Sequence, residues 1–279
     1  MSLWLVTLAV AVLVATSSVP PFFSGALVAL VIQALRAKRN NSAESTADAG
    51  SAAAAVVSVV GNIGSGKTTA LKSYATDAPG DVAVVAEPVD EWAPLLEKMT
   101  TDKDAWMDLQ VVIASFYATL VAPAIAKVMI QERDLMSVAL FAGDREGIAV
   151  LLMALVECGK VVLPDIVVHI ATPWENCLER VQSQKREQAG DTFAGNLGAE
   201  YFRALDDRHQ KLLEWYAAHG CLVITVRTED TAVIGLTEAR EQALAARVEG
   251  PRRFVTKDMM LSLLLLLWPP TPTAVNNVD

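Results

Sequence analysis

The sequence predicts an α/β fold in which a parallel, five-stranded sheet is flanked by helices. Short runs rich in valine and isoleucine recur between residues 55 and 227, and helical stretches separate them. Such runs are continuously apolar, which is typical of strands buried on both faces of a sheet. Helical crossovers between strands indicate that the strands are parallel. Apolar residues make up 53% of the 279 residues, enough to fill the core of such a domain.

The alternation of strands and helices also predicts where a site lies. The five predicted strands are AVVSVV (55–60), DVAVVAE (81–87), AKVMIQE (126–132), DIVVHIA (165–171) and CLVITVR (221–227). The predicted helical stretches are KTTALKSYA (67–75), residues 95–125, REGIAVLLMALVECG (145–159) and WENCLERVQSQKREQ (174–188). Ligands of parallel sheets bind beyond the carboxyl ends of the strands. The first candidates are therefore the loop after residue 60, Glu87 and the pair Glu132-Arg133.

The loop after the first predicted strand has the spacing of a phosphate-binding loop, or P-loop. Gly61, Gly66, Lys67 and Thr68 fill the pattern G-x-x-x-x-G-K-[ST]. Glycines allow backbone N–H groups to turn toward an anion, and the following helix adds its positive dipole end. We expect Lys67 to reach the outer phosphates of ATP and the Thr68 hydroxyl to bind Mg²⁺. The predicted ATP-binding residues of the loop are Gly61, Asn62, Ile63, Gly64, Ser65, Gly66, Lys67, Thr68 and Thr69.

Charge and cysteine content argue against some classes of partner. The net charge is −9 and the pI is about 4.9, whereas a nucleic-acid groove would carry a basic surface. Cys158, Cys177 and Cys221 lack the spacing of a zinc site or a disulfide framework. This pattern favours a reducing compartment, and the expected location is the cytoplasm.

The N-terminal segment, residues 1–39, is apolar and leaves two interpretations open. Residues 1–35 carry no charged side chain, and Pro20-Pro21 separates two apolar runs. Neither run alone reaches the roughly 20 residues of a membrane-spanning helix, but together they would form one interrupted span or a hairpin. The basic residues 36–39 would then leave the rest of the chain in the cytosol. The alternative is an N-terminal extension with no membrane role.

Composition divides the rest of the chain into three parts. Residues 40–54 are small and polar, as in a flexible linker. Residues 55–250 contain the predicted α/β domain, and residues 251–279 form a C-terminal tail. The tail contains the apolar run MMLSLLLLLW (259–268), which is too short to span a bilayer and is predicted to be a docking helix or strand.

The middle of the chain resembles the deoxynucleoside kinase family, which includes thymidine, deoxycytidine and deoxyguanosine kinases and viral multisubstrate enzymes. Four motifs occur in the order and spacing of the family: GNIGSGKTT (61–69), EPVDEW (87–92), QERDLMS (131–137) and PDIVVHIATPWENCLERVQSQKR (164–186). The resemblance covers roughly residues 55–230. It implies a P-loop kinase fold with a helical lid, ATP and Mg²⁺ as cofactors, a deoxynucleoside as acceptor, and a homodimer formed by helices that flank the sheet.

The resemblance also implies roles for individual residues. Glu87 corresponds to the general base that takes the proton of the sugar 5′-hydroxyl, and Arg133 to the arginine that contacts the 5′-oxygen and the transferred phosphoryl group. Glu132 corresponds to a carboxylate that binds Mg²⁺, largely through water. From the residues alone, the alternative for Glu87 is a helix N-terminal carboxylate, and the alternative for Glu132 with Arg133 is a structural ion pair. The general base is the interpretation we favour.

Further residues correspond to the nucleoside pocket and the lid of the family. Gln110 matches the glutamine that pairs with the base, and the other pocket residues are Trp92, Met99 and Phe141, with Ile63 beside them. Arg180 and Arg186 match lid arginines that clamp the phosphates. Without the framing motifs, these side chains would be core aromatics, a helix-surface glutamine and a solvated basic helix end.

Several positions depart from the family pattern. Asp134 stands at a serine position, and Thr100 at the position of a tyrosine that helps to hold the sugar. In the lid, the middle arginine and the acidic pair are replaced by Gln184, Gln188 and Ala189. A nucleotide-binding protein with weak or no catalysis, tethered to a membrane, is therefore an alternative to an active kinase. A nucleoside monophosphate kinase is a third alternative, which EPVDEW disfavours because a monophosphate site needs more cationic residues.

The preferred base is predicted from two further positions. Deoxycytidine- and deoxyguanosine-type enzymes use an arginine and an aspartate beside the base, and these positions correspond to Tyr117 and Val138. Neither residue supplies that charged pair, which favours thymidine or a broad range of pyrimidine deoxynucleosides.

Overall fold

Five parallel strands form a single sheet at the centre of the molecule. A computed structural model of the chain describes residues 54–98, 105–141, 145–183, 197–227, 229–246 and 252–269. The strands are β1 (Ala55–Val60), β2 (Val82–Val85), β3 (Val128–Glu132), β4 (Ile166–Ile170) and β5 (Leu222–Val226). They pair in the order β2-β3-β1-β4-β5, and every neighbouring pair is parallel. The predicted α/β fold with a five-stranded parallel sheet is confirmed.

Helices cover both faces of this sheet. In the described part of the chain they are α1 (Lys67–Thr76), α2 (Val89–Lys98), α3 (Ala105–Thr119), α4 (Ser137–Leu140), α5 (Arg145–Glu157), α6 (Trp174–Ser183), α7 (Ala199–Ala218), α8 (Glu229–Ala246) and α9 (Lys257–Leu267). The long helical stretch predicted at 95–125 contains the end of α2 and the whole of α3. Of the helix predicted at 174–188, the structure describes the part that ends at Ser183.

Alternating side chains of the strands build two separate cores. Val57 and Val59 of β1 point to one face of the sheet and pack with Leu71 of α1 and Leu236 of α8. Val60 points to the opposite face, where α3, α5, α7 and α9 supply the larger cluster of buried residues. The strands β1, β3 and β4 are buried along their whole length, because helices cover them from both sides.

The register of the strands brings the predicted site residues to one edge of the sheet. Val59 of β1 lies opposite Glu132, the last residue of β3, and Val85 of β2 lies opposite Gln131. The predicted second strand included Glu87 as its last residue. Because β2 ends at Val85, Glu87 lies instead in the loop beyond the strand. The loops after β1, β2 and β3 therefore leave the sheet side by side.

The apolar run near the C-terminus forms helix α9, which packs onto the larger core. Thr256 caps its first turn by accepting a hydrogen bond from the backbone N–H of Met259 (3.3 Å). The buried residues are Met260, Leu263, Leu264 and Leu267. Trp215 of α7 fixes the helix by donating its indole N–H to the Ser262 hydroxyl (2.9 Å). The run that the sequence left open between a docking helix and a docking strand is thus a helix.

Within the described ranges, no helix combines the length and the apolar character that crossing a membrane requires. The predicted N-terminal segment 1–39 and the linker up to residue 53 lie outside those ranges.

Helix α8 approaches the sheet closely at Gly235. A Cβ atom added at this glycine would lie 2.6 Å from Cγ1 of Val226 in β5 and 3.8 Å from Cγ1 of Val168 in β4. Valine has few rotamers, so Val226 has little freedom to move away. The close contact of α8 with β5 therefore requires glycine at this position.

We expect Gly235→Val to lower the free energy of unfolding by about 1–3 kcal/mol, because the added methyl groups overpack the junction of α8 and β5. Urea denaturation at pH 7 measures this change. The matched control is Gly80→Val, since a Cβ at Gly80 meets no atom of the described residues within 4 Å. Equal stability of the two variants would contradict the close packing of α8.

Candidate active site

The P-loop between β1 and α1 is fixed from two sides. Asn62 donates its side-chain amide to the backbone carbonyl of Phe202 in α7 (3.0 Å) and accepts the N–H of Ile63 (2.8 Å). Thr172, two residues after β4, donates its hydroxyl to the carbonyl of Ser65 (3.1 Å). Asn62, Ser65 and Thr172 are all buried. These contacts hold the backbone of the loop in place, as a phosphate-binding site requires.

Helix α6 lies directly against the P-loop at Gly64. This glycine has a φ of 77°, and an added Cβ would come within 2.8 Å of the carbonyl oxygen of Cys177 in α6. Arg180, one turn further along α6, directs Nη1 toward the carbonyl of Gly64 (3.5 Å). The predicted phosphate-clamping arginine thus lies beside the loop. Its predicted companion, Arg186, lies outside the described residues.

Lys67, the first residue of α1, is a buried cation within the P-loop. Its Nζ atom donates to the carbonyls of Asn62 (2.8 Å) and Gly61 (3.1 Å). Burial, and secondarily the nearby Arg133, lowers its pKa to about 8, whereas Glu132 and Glu87 act in the opposite direction. A lysine with this pKa is still mostly protonated at pH 7. The loop therefore presents a positive charge, as the binding of phosphates requires.

The Glu132 carboxylate joins the P-loop to the loop after β2. Oε1 accepts the Thr68 hydroxyl at 2.7 Å, and Oε2 accepts the backbone N–H of Glu87 at 3.3 Å. The two predicted metal ligands, Thr68 and Glu132, are therefore in contact. A hydroxyl and a carboxylate are hard oxygen donors of the kind that Mg²⁺ prefers, so the residues present fit this ion.

Glu87 is the second carboxylate of the site, and its side chain is 8% exposed. Oε1 accepts a hydrogen bond from the Tyr117 hydroxyl at 2.9 Å. Oε2 lies 3.5 Å from Nε of Arg133. Because this Nε atom has no hydrogen-bond partner among the described residues, the contact is an ion pair only. Burial raises the pKa of the Glu87 carboxyl, Arg133 opposes the rise, and Glu132 adds to it. A raised pKa suits a carboxylate that accepts a proton near neutral pH.

Arg133 follows β3 in a left-handed backbone conformation, with a φ of 59°. Its N–H donates to the carbonyl of Val59 in β1 (2.8 Å), and its guanidinium carbon lies 4.3 Å from the centre of the Phe141 ring. Such a conformation is costly for a residue with a side chain and is common at functional sites. The predicted stacking residue Phe141 therefore lies against the predicted catalytic arginine.

The next residue, Asp134, fixes this turn from inside the protein. It is buried, and it accepts the Tyr216 hydroxyl at 2.6 Å and the backbone N–H of Ser137 at 3.2 Å. Burial raises the pKa of Asp134, and these hydrogen bonds oppose the rise. The aspartate at the serine position thus connects β3, α4 and α7 behind the site.

Helix α3 supplies the predicted base-pairing residue. Gln110 is buried, and its Oε1 atom has no hydrogen-bond partner among the described residues. An unpaired buried carbonyl is costly, and a donor on a ligand would satisfy it. Trp92 of α2 is buried nearby in an edge-to-face contact with Phe116 of α3, with ring centroids 5.9 Å apart.

The structure thus assembles most of the predicted site. Lys67, Thr68, Glu87, Glu132 and Arg133 form one largely buried group of charges and polar atoms. Thr69 lies on the exposed side of α1. Outside the described residues lie the predicted pocket residue Met99 and the departures from the family pattern, Thr100, Gln184, Gln188 and Ala189.

The sequence did not predict that Tyr117 contacts Glu87. It placed this tyrosine beside the base, whereas the structure directs its hydroxyl at Glu87 and at the backbone carbonyl of Glu132. The seven-residue spacing puts Gln110 and Tyr117 on one face of α3, but it carries no signal for the contact with Glu87 in another element.

His169 is a buried histidine of β4 that lies opposite Val60, the last residue of β1. It is 4% exposed, and burial together with the positive charge of Lys67 lowers its pKa to about 4. The imidazole is therefore neutral at pH 7. His209 of α7 is also buried, and burial lowers its pKa well below the usual range.

A sequence model of the deoxynucleoside kinase family matches residues 57–249 of this chain. Two solved structures of a deoxyadenosine kinase from M. mycoides resemble the fold, one with bound dCTP and one with the products dCMP and dCDP. Each shares 16% sequence identity with this chain at a TM-score of 0.52, and the match covers 67% of this chain and 99% of that chain. Among curated protein sequences, none matches this chain.

We expect acidification to destabilise the protein through His169. Its folded-state pKa lies below the ordinary value of about 6.5, so the unfolded chain binds the proton first, and stability is lost as the pH falls from 6.5 toward 4. Between pH 7 and pH 5 this residue alone contributes a loss of about 2 kcal/mol. Urea denaturation of the wild type and of His169→Gln at both pH values measures it. The same loss in both proteins would show that His169 is not the group that titrates.

Proposed function

The chain belongs to the deoxynucleoside kinase family, and we propose that it transfers the γ-phosphoryl group of ATP to the 5′-hydroxyl of a deoxynucleoside. The observation that carries this proposal is the chain of contacts from Thr68 through Glu132 to Glu87. It places the proposed general base next to the proposed phosphate- and Mg²⁺-binding residues. A sugar hydroxyl between Glu87 and the P-loop would lie close to both.

The charged residues of the site divide three tasks in the proposed reaction, namely proton transfer, charge stabilisation and Mg²⁺ binding. Glu87 takes the proton of the 5′-hydroxyl while the 5′-oxygen of the deoxynucleoside forms a bond to the γ-phosphorus. The bond between the γ-phosphorus and the bridging oxygen of ATP breaks in the same step. Arg133 and Lys67 stabilise the negative charge of the group being transferred. Bound Mg²⁺, held on Thr68 and Glu132, would neutralise the phosphates of ATP. Arg180 extends the positive surface from the side of α6.

The proposed acceptor site lies along α2 and α3. The buried carbonyl of Gln110, which has no partner among the described residues, supports hydrogen bonding to the edge of a base. Trp92 would form one wall of the pocket. We propose thymidine or a range of pyrimidine deoxynucleosides as acceptors, because Tyr117 and Val138 provide no charged pair beside the base. The M. mycoides deoxyadenosine kinase, with dCTP or dCMP bound, is similar in fold, so purine and pyrimidine acceptors both belong in the test.

A homodimer through the helices that flank the sheet is part of the proposal. Val112 of α3 and Val150 of α5 are 37% and 41% exposed, so both helices present an apolar side chain to solvent.

We expect Glu87→Gln to lower kcat for 5′-phosphorylation at least 100-fold, because the amide cannot accept the proton of the hydroxyl. The measurement is monophosphate formation from ATP, Mg²⁺ and each of the four deoxynucleosides, with thymidine monophosphate as a fifth acceptor. ATP affinity, measured by calorimetry, is expected to stay unchanged. The control is Glu91→Gln, since Glu91 is an exposed residue of α2.

The possible outcomes of this panel separate the competing functions. Equal inactivity of wild type and Glu87→Gln with every deoxynucleoside would refute the proposal. Turnover of thymidine monophosphate alone would identify a nucleoside monophosphate kinase. ATP binding without any turnover would identify a nucleotide-binding protein that has lost catalysis.

A further inference from the structure

Tyr117 connects three elements of the site through its hydroxyl. It lies near the end of α3 and is 8% exposed, with its ring packed in the larger core and edge-to-face on Phe116. Its oxygen lies 2.9 Å from Oε1 of Glu87 and 2.6 Å from the backbone carbonyl of Glu132. A single side chain therefore spans α3, the end of β3 and the loop after β2.

The Glu87 carboxylate depends on this contact for its orientation. Arg133 lies 3.5 Å from this carboxylate without a hydrogen bond to it, and an ion pair of this kind has little directional preference. Tyr117 makes the one side-chain hydrogen bond that Glu87 receives from the described residues. A hydrogen bond to a charged acceptor is both directional and strong. The rotamer of Glu87 is thus set by Tyr117.

The backbone carbonyl of Glu132 also helps to hold the Tyr117 hydroxyl in place. A phenol carries one proton, so its two acceptors, the carboxylate and the Glu132 carbonyl, share it. Because the carbonyl belongs to the last residue of β3, it is fixed by the sheet. The tyrosine oxygen therefore stays at the end of the strand, and the carboxylate aligns with it.

We propose that Tyr117 is a positioning residue that holds the Glu87 carboxylate toward the acceptor hydroxyl. This inference rests on the proposed function, since it requires Glu87 to act as the base. It assigns Tyr117 to the catalytic carboxylate rather than to recognition of the deoxynucleoside base. A correctly oriented general base acts on the rate of the chemical step more than on substrate binding.

The test is Tyr117→Phe, which keeps the packed ring and removes the hydroxyl. We expect kcat to fall by roughly 10-fold or more, while KM for the deoxynucleoside and for ATP stays within about twofold. The control is Tyr74→Phe, which removes another buried hydroxyl, on α1, and should leave kcat unchanged. Melting temperatures of both variants show whether the fold is retained.

A double variant distinguishes positioning from a general structural effect. In Glu87→Gln, the added Tyr117→Phe change is expected to cause no further loss of kcat, because the hydroxyl acts through the carboxylate. Losses that multiply in the double variant, a loss confined to KM, or a wild-type kcat in Tyr117→Phe would each overturn the inference. Such results leave the kinase activity itself standing. A wild type that phosphorylates no deoxynucleoside would instead refute the proposed function, and this inference with it.

Discussion

The rest of the site depends on the two hydrogen bonds that the Glu132 carboxylate accepts. One oxygen accepts the hydroxyl of Thr68 from the P-loop helix, and the other accepts the backbone N–H of Glu87 from the loop after β2. Hydrogen bonds to a charged group contribute about 1.5–3 kcal/mol each, and a buried carboxylate without them would be costly. Glu132 therefore holds the start of the P-loop helix, which follows β1, at a fixed distance from the loop that follows β2. The parallel register that places the ends of β1, β2 and β3 side by side makes this geometry accessible.

The charges around Glu132 are balanced, and their balance constrains the turn after β3. Lys67 and Arg133 oppose Glu87 and Glu132 in a largely buried space, where removing one charge leaves its partner uncompensated. Arg133 reaches this position only through a left-handed backbone conformation. Asp134 stabilises that conformation from behind, because its hydrogen bonds to Tyr216 and Ser137 fix the following residue. Strain at the site is thus supported by a polar network in the core.

Local patterns predicted the parts of the molecule that depend on local chemistry. The P-loop and the five strands follow from glycine spacing and from continuous apolar runs, and both are present. Some strands were predicted a residue or two too long, since the apolar pattern can persist where the ladder has ended, as at Ala86 after β2. The contact between Tyr117 and Glu87 joins residues 30 positions apart, and that between Asn62 and Phe202 spans 140. Such contacts depend on the order of the strands and on helix packing, which no local pattern encodes.

The proposed pairing of Gln110 with the base has a consequence for the base selectivity of the proposed acceptor site. If Gln110 pairs with the base as proposed, its amide presents a donor and an acceptor side by side, and a half-turn of the side chain exchanges them. One orientation matches thymine, and the other matches cytosine or adenine. A charged neighbour would fix one orientation, but Tyr117 directs its hydroxyl to Glu87, and Val138 is a buried aliphatic residue. With no charge from either position to fix the amide, the proposed pocket would select its base by shape, which agrees with the proposed range of pyrimidine deoxynucleosides.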